Sequence, residues 1–213
     1  MAESINKQTA PLNKMSYINT AFRLVMELSR QYNIDESHAL KHSMEVYGYA
    51  KKIMKTELAA NPWLAEQENV IYLAAILHDM CDHKYTMATD GVVIMSQRFA
   101  DEPGFEMVIQ IITTMSYSTV KKNGYPDLGS YQMAYHIVRE ADLLAAYDID
   151  RCIMYSMYTR DVDYDEALRI AIELFDVRVL KYRSDGLFLS EYAKWESAIL
   201  HANAVKKIAV LLA

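Results

Sequence analysis

The sequence predicts an all-α protein, and two observations carry that prediction. Only six glycines and four prolines interrupt the 213 residues, so there are few points at which a helix must end. Apolar residues recur at spacings of three and four, which is the period of an amphipathic helix and not of a strand. With 52% hydrophobic residues, the chain is long and apolar enough to fold around one core, so we expect a single helical bundle.

The same period places the helices along the chain. The first is predicted to begin after Ser16, the second to follow a capping residue, Asp35, and the third to span residues 66–82. Further helices are predicted over residues 90–101, 104–118, 130–147, 149–159, 163–182 and 188–211. A break is expected at Pro103-Gly104, and residues 120–130 are predicted to form a loop.

Composition excludes several classes of function. The formal charge of −6 argues against extended binding to nucleic acid or to an anionic membrane. No apolar run is long enough to span a bilayer and the N-terminus lacks a secretory signal, so we expect a cytoplasmic protein. Cys81 and Cys152 are too few for a disulfide scaffold. Residues 1–15 are predicted to be a flexible polar tail, and residues 16–213 one domain.

Four side chains that can bind metal occur in helical segments far apart in sequence: His42, His78, Asp79 and Asp142. In LAAILHDMCDHKY, a long apolar run that should be buried ends abruptly in polar residues. Burying imidazoles and a carboxylate without partners is costly, and a divalent cation removes that cost. Adjacent helical residues point about 100° apart, so His78 and Asp79 reach one ion only beyond the helix end.

Two imidazoles and two carboxylates suit one divalent transition metal, such as Mn, Fe, Co, Ni or Zn, with Mg also acceptable. Such a set leaves positions for water and phosphate, and the metal lowers the pKa of water near neutrality. The pattern therefore predicts hydrolysis at a metal centre. A lone His-Asp pair at a helix end is usually a cap or an ion pair, and only the complete set favours a metal.

Three neighbouring side chains are candidates for other tasks at this centre. Asp82 lies one helical turn after His78 and is the predicted general acid or base, although a solvated pair with Lys84 is the plainer alternative. Lys84 is a candidate phosphate ligand, and His38, one turn before His42, a candidate to contact substrate or to orient a ligand.

The order H…HD…D resembles the HD superfamily of metal-dependent phosphohydrolases. The two metal histidines are 36 residues apart and the two aspartates 63 residues apart. DESHALKHSMEVYGYA resembles the opening helix of that family, with His42 as the ligand. LHDMCDHKY resembles the segment of small stand-alone bacterial members, in which an aspartate and a lysine follow the dyad, here Asp82 and Lys84. VREADLLAAYDIDR resembles the later segment that holds the last metal aspartate, Asp142.

The resemblance spans about residues 16–210 and implies a helical bundle with the metal site at its centre. It also implies hydrolysis of phosphate esters or anhydrides, above all of nucleotides. Arg151 matches an arginine of that branch, as a substrate contact or as the partner of a structural ion pair with Asp148. Tyr117, in the SYS segment, is a candidate to stack on a nucleobase. Glu140 departs from the branch, which has aspartate there, so substrate choice could differ.

Two other kinds of function remain open on the sequence. The same pocket could belong to a catalytically silent sensor that binds metal or nucleotide, or the chain could be a structural helical adaptor without metal. We expect a small phosphorylated partner, no extended nucleic acid and no membrane, with the protein a monomer or a homodimer. Turnover of nucleotides distinguishes the enzyme from the sensor, and metal content distinguishes both from the adaptor.

Overall fold

The computed structural model describes residues 14–81 and 88–213, and these ranges contain only helices and connections. Ten α-helices lie in the described residues: α1 Lys14–Gln31, α2 Leu40–Glu57, α3 Glu68–Leu77, α4 Ala88–Arg98, α5 Phe105–Thr114, α6 Tyr117–Asn123, α7 Gln132–Ala145, α8 Ile149–Arg160, α9 Tyr164–Val177 and α10 Glu191–Leu211. They pack into one compact domain, which confirms the predicted all-α fold.

The core is built around α3, in which every residue from Val70 to Leu77 is buried. Helices α1, α2, α5 and α7 all pack against it and cover it from solvent. Its sequence is therefore apolar on every side and not on one face. Helix α2 packs against α7, and α10 contacts both of them, while α8 and α9 pair with each other. The two ends of the α2 and α7 pair hold the two sites described below.

Several helices begin or end at residues other than those predicted, because of local proline, capping and turn residues. Pro62 begins a short 3₁₀ segment, Pro62–Gln67, and α3 starts only after it. The prediction that Asp35 caps the second helix is wrong, because its Oδ1 accepts from the Ser37 amide at 2.9 Å and caps the turn before α2. The break at Gly104 is confirmed. This glycine has a left-handed φ of 79° and lies immediately before the first residue of α5.

The predicted loop over residues 120–130 is wrong in its first part, because α6 continues to Asn123. Ser116 begins this helix by accepting a hydrogen bond from the Thr119 amide at 3.2 Å. At the other end of the chain, Lys14 and Met15 belong to α1 although they were assigned to the tail, and residues 1–13 lie outside the described ranges. None of the described helices is long and apolar enough to cross a bilayer.

Gly91 lets α4 approach the segment after α3 at backbone distance. A Cβ atom on Gly91 would lie 2.3 Å from the Met80 carbonyl oxygen and 3.2 Å from the Cys81 Cα. No side chain fits in that space, so glycine is required by packing and not by its φ angle. The contact holds the two residues that follow the His78-Asp79 pair.

Candidate metal centre

Three helix ends bring the predicted ligands together. His42 lies in the first turn of α2, His78 and Asp79 follow the last residue of α3, and Asp142 lies in the last turn of α7. Two of these ends are helix C-termini, whose carbonyl dipoles favour positive charge. The third end, at α2, is an N-terminus of opposite sign, so the three helix dipoles together leave a small preference for a cation.

The ligand atoms converge within a few ångströms. His42, His78 and Asp142 each offer one atom within 4.8 Å of the others. The two Nε2 atoms lie 3.0 Å apart. Asp142 Oδ1 is 3.4 Å from the His42 Nε2 and 3.6 Å from the His78 Nε2. Asp79 joins from the side, with its Oδ2 3.4 Å and 3.2 Å from the same two nitrogens.

These separations fit one ion. Two donors that each lie about 2.1 Å from a metal are about 3.0 Å apart at a right angle and about 3.4 Å apart at the tetrahedral angle. The five measured separations run from 3.0 Å to 3.6 Å. Two nitrogens and two carboxylate oxygens suit a divalent transition metal, so the residues present fit the predicted cofactor.

The hydrogen-bonding pattern also favours a cation. His78 Nδ1 donates to the Ala75 carbonyl at 3.0 Å, which leaves its Nε2 directed at the cluster. Asp79 Oδ2 and His42 Nδ1 are buried, and no well-oriented hydrogen-bond partner for either occurs in the described part of the chain. A buried carboxylate oxygen without a donor is costly, and a bound metal supplies the missing partner.

The titration behaviour of the cluster reflects its two carboxylates. Burial, assisted by the charge of Arg151, lowers the pKa of His42 to about 4. Burial acts the same way on His78, but Asp79 and Asp142 overcome it and raise its pKa to about 9. Burial alone would raise the pKa of both aspartates, yet the facing histidines hold the pKa of each well below its usual range.

Among the described ligands, the cluster is most open to solvent at Asp142. The side chains of His42 and His78 are 1% and 3% exposed, whereas that of Asp142 is 27% exposed. Asp142, at the C-terminal end of α7, is therefore the most accessible of the four side chains, followed by Asp79 at 14%. The imidazoles lie behind, where the surrounding core fixes their orientation.

His38 lies beside this cluster, as predicted. Its Nδ1 shares a 2.6 Å hydrogen bond with the buried Ser37 hydroxyl, and its ring is 6.2 Å from the ring of His42. The ring also packs edge-on against Tyr155, at 5.2 Å. Since His38 helps to lower the pKa of Asp79, it is close enough to act on the ligands electrostatically. These contacts are compatible with either of its predicted tasks.

Arg151 joins α8 to the turn before α2, where its Nε donates to the carbonyl of Ser37. Within the described residues it forms no ion pair with Asp148, which instead caps α8 by accepting from the Asp150 amide at 3.1 Å. Arg151 therefore holds the residue next to His38, and its predicted contact with substrate remains a prediction.

Tyr117 packs against Arg178 and lies near Tyr182, two residues that the sequence analysis did not identify as site candidates. The guanidinium of Arg178 lies 4.2 Å from the centre of the Tyr117 ring, and its Nε donates to the Tyr182 hydroxyl at 2.9 Å. Tyr182 is buried, and burial with the nearby Asp142 carboxylate raises its pKa to about 12. Among the described residues, no carboxylate pairs with Arg178, which leaves its guanidinium able to bind an anion.

Asp82 and Lys84 lie outside the described residues, so their predicted roles rest on the sequence alone. The description ends at Cys81, the second residue after Asp79, and resumes at α4.

Comparison with known proteins adds no assignment to this geometry. The chain matches no protein-family model, and no curated protein was found to be similar to it.

Proposed function

We propose that this chain is a metal-dependent phosphohydrolase of the HD type that acts on a nucleotide. One observation carries the proposal: His42, His78 and Asp142, in the order of the HD pattern, have ligand atoms within 4.8 Å of one another, and Asp79 Oδ2 lies 3.4 Å and 3.2 Å from the two imidazole nitrogens. The order of residues comes from the sequence and their convergence from the fold, so the two supports are independent.

A divalent metal held by these four side chains supplies Lewis acidity and lowers the pKa of water in the site. The chain itself supplies position and charge. Asp142 is the most exposed of the four ligands and His42 and His78 are buried, so a phosphate group enters on the Asp142 side. Arg178, stacked on Tyr117 and fixed by Tyr182, provides a cation for that phosphate.

Proton transfer is assigned to Asp82, which follows Asp79 by three residues. Its carboxylate accepts the proton of the attacking water and passes it to the leaving oxygen. His38 keeps Asp79 ionised through its nearby ring, and Lys84 steadies the departing phosphate. A nucleotide fits the site because Tyr117 offers an aromatic ring close to the anion-binding Arg178.

The test is phosphate and pyrophosphate release from a panel of nucleoside mono-, di- and triphosphates, with protein that has been stripped of metal and reloaded with Mn. We expect turnover of at least one nucleotide, and its loss in Asp79→Asn together with most of the bound metal. Asp176→Asn, on the exposed surface of α9, is the matched control and should keep both.

Two results separate the alternatives. Retention of full activity and metal by Asp79→Asn would show that the ligand assignment is wrong. Stoichiometric metal with measurable nucleotide binding, but no turnover across the panel, would favour the sensor instead.

A further inference from the structure

A second cavity lies along α7 towards its N-terminal end, where its lining runs from Gln132 to Glu140, about 15 Å to about 3 Å along the helix axis from Asp142. Its volume is about 600 Å³, within the usual range for small-molecule sites. Met133 and Ile137 of α7 line it on one side, and Trp63, Glu57 at the end of α2, and Leu189 line it elsewhere. None of these residues belongs to the candidate metal centre.

The lining of this cavity is acidic. It includes Glu57, Glu140 and Glu191 and contains no lysine or arginine. Lys194, which is not part of the lining, pairs with Glu191 at 2.7 Å and also acts on Glu57 and Glu140, and the charge of Arg139 acts on Glu140, so two cations face three carboxylates. His136 does not add positive charge, because burial and the nearby Arg139 lower its pKa. The field inside the cavity therefore attracts cations and repels phosphate.

The helix end beside the cavity does not change this conclusion. A helix N-terminus usually attracts anions, but that of α10 is already occupied by Glu140. The Leu189 amide donates to its Oε1 at 2.9 Å, and the Ser190 amide and hydroxyl donate to its Oε2 at 3.1 Å and 2.6 Å. These donors are therefore not available to a bound anion.

Trp63 supplies an aromatic wall, with 43% of its surface exposed. The rim is fixed before a ligand arrives, since Gln67 donates to the Ser130 carbonyl at 3.0 Å and Gln132 contacts His136 at 3.2 Å. An indole face next to carboxylates and apolar side chains is the recognition chemistry of an organic ammonium group. We propose that this cavity binds an organic cation that has an apolar body.

The sequence has two tryptophans, Trp63 and Trp195, so Trp195→Phe leaves Trp63 as the only reporter. The probe is benzyltrimethylammonium, with neutral benzyl alcohol and anionic benzenesulfonate as controls of similar size. We expect saturable quenching of Trp63 fluorescence by the cation, with weaker binding of the neutral compound and none of the anion. Isothermal titration calorimetry on the unaltered chain should give the same order of affinities for the three probes.

Glu57→Gln in the same background should weaken binding of the cation by roughly two- to fivefold. Glu173→Gln removes an equal charge from α9, far from this lining, and should leave the affinity unchanged. Equal binding of the three probes, the absence of saturation, or equal effects of the two substitutions would each overturn the proposal. The fluorescence of Trp63 reports on this cavity alone, so the outcome does not depend on activity at the metal centre.

Discussion

Two carboxylates lie two residues apart on α7, Glu140 buried and Asp142 partly exposed, and their surroundings differ in kind. Glu140 is held by two amides and a hydroxyl of the segment that begins α10. Asp142 faces two imidazole nitrogens, and Asp79 lies against the same pair. Burial raises the pKa of Glu140, whereas the histidines overcome burial and lower the pKa of Asp142.

The difference teaches how to separate a structural carboxylate from one that binds a ligand. The chain itself supplies the partners of Glu140, and their hydrogen bonds offset part of the cost of burying its charge. The partners of Asp142 are themselves cation ligands that point at a shared position. Glu140 is 1% exposed and the Asp142 side chain 27%, and the identity of the hydrogen-bond partner shows which carboxylate is structural and which faces a ligand.

The largest expected effect comes from removing the charge of Asp142. Asp142→Asn should lower the proposed hydrolytic activity about a thousandfold or more, because one metal ligand is lost. Glu140→Gln should retain bound metal, since its side chain faces α10. Elemental analysis and the nucleotide assay measure both, and equal loss of metal in the two variants would contradict the comparison.

The second largest expected effect is a loss of stability when Glu140 is replaced. Glu140→Ala leaves the Leu189 and Ser190 amides without their acceptor, so we expect a loss of about 3 kcal/mol in the free energy of unfolding. Urea denaturation of metal-free protein measures it. Asp142→Ala under the same conditions should cost less, because its loss strands no backbone amide, and a larger cost would reverse the assignment.

A third comparison uses two glycines within helices. Gly91→Ala should destabilise the protein by about 1–3 kcal/mol, because the new methyl group meets the Met80 carbonyl oxygen. Gly48→Ala should stabilise it by about 0.5–1 kcal/mol, since no atom lies within 4 Å of the added Cβ in the middle of α2. Thermal unfolding of both variants is the measurement.

Metal affinity sharpens this third comparison. Gly91→Ala displaces the segment that follows Asp79, so it should weaken metal binding as well as stability, and Gly48→Ala should not. A Gly91 variant with unchanged stability and metal affinity would show that α4 does not position the centre.

The smallest expected effect is a dependence on pH. Because the pKa of Glu140 is raised in the fold by burial, its contribution to stability is fully present below the pKa of the unfolded chain and is lost as pH rises through the folded value. The stability of the unaltered protein relative to Glu140→Gln should thus fall as pH rises above about 4.5. Glu173→Gln, on an exposed side chain, should show no such trend.

The sequence predicted the features that depend on residue type and period. The all-α fold follows from apolar spacing, and the meeting of His42, His78, Asp79 and Asp142 follows from a motif that places ligands at the ends of buried helices. The site could be predicted because burying such residues without a cation is unfavourable, whatever the exact helix bounds.

Features that depend on tertiary contact were not predictable in the same way. Arg178 lies at the C-terminal end of a helix, where an arginine is ordinarily interpreted as stabilising the helix dipole. Its contact with the Tyr117 ring is seen only in the folded structure. Asp35 has the residue type of a helix cap but closes the preceding turn. The role of Glu140 requires the start of α10, about 50 residues away in sequence.

The metal ligands are far apart in sequence, so a bound ion would also affect which helices unfold first. An ion that joins His42 to Asp142 would close a loop of about 100 residues, which includes all of α3 to α6. Such a closure acts like a removable cross-link on the middle of the chain, whereas α8 to α10 lie outside it. Withdrawal of the ion should therefore speed amide hydrogen exchange in the enclosed helices first.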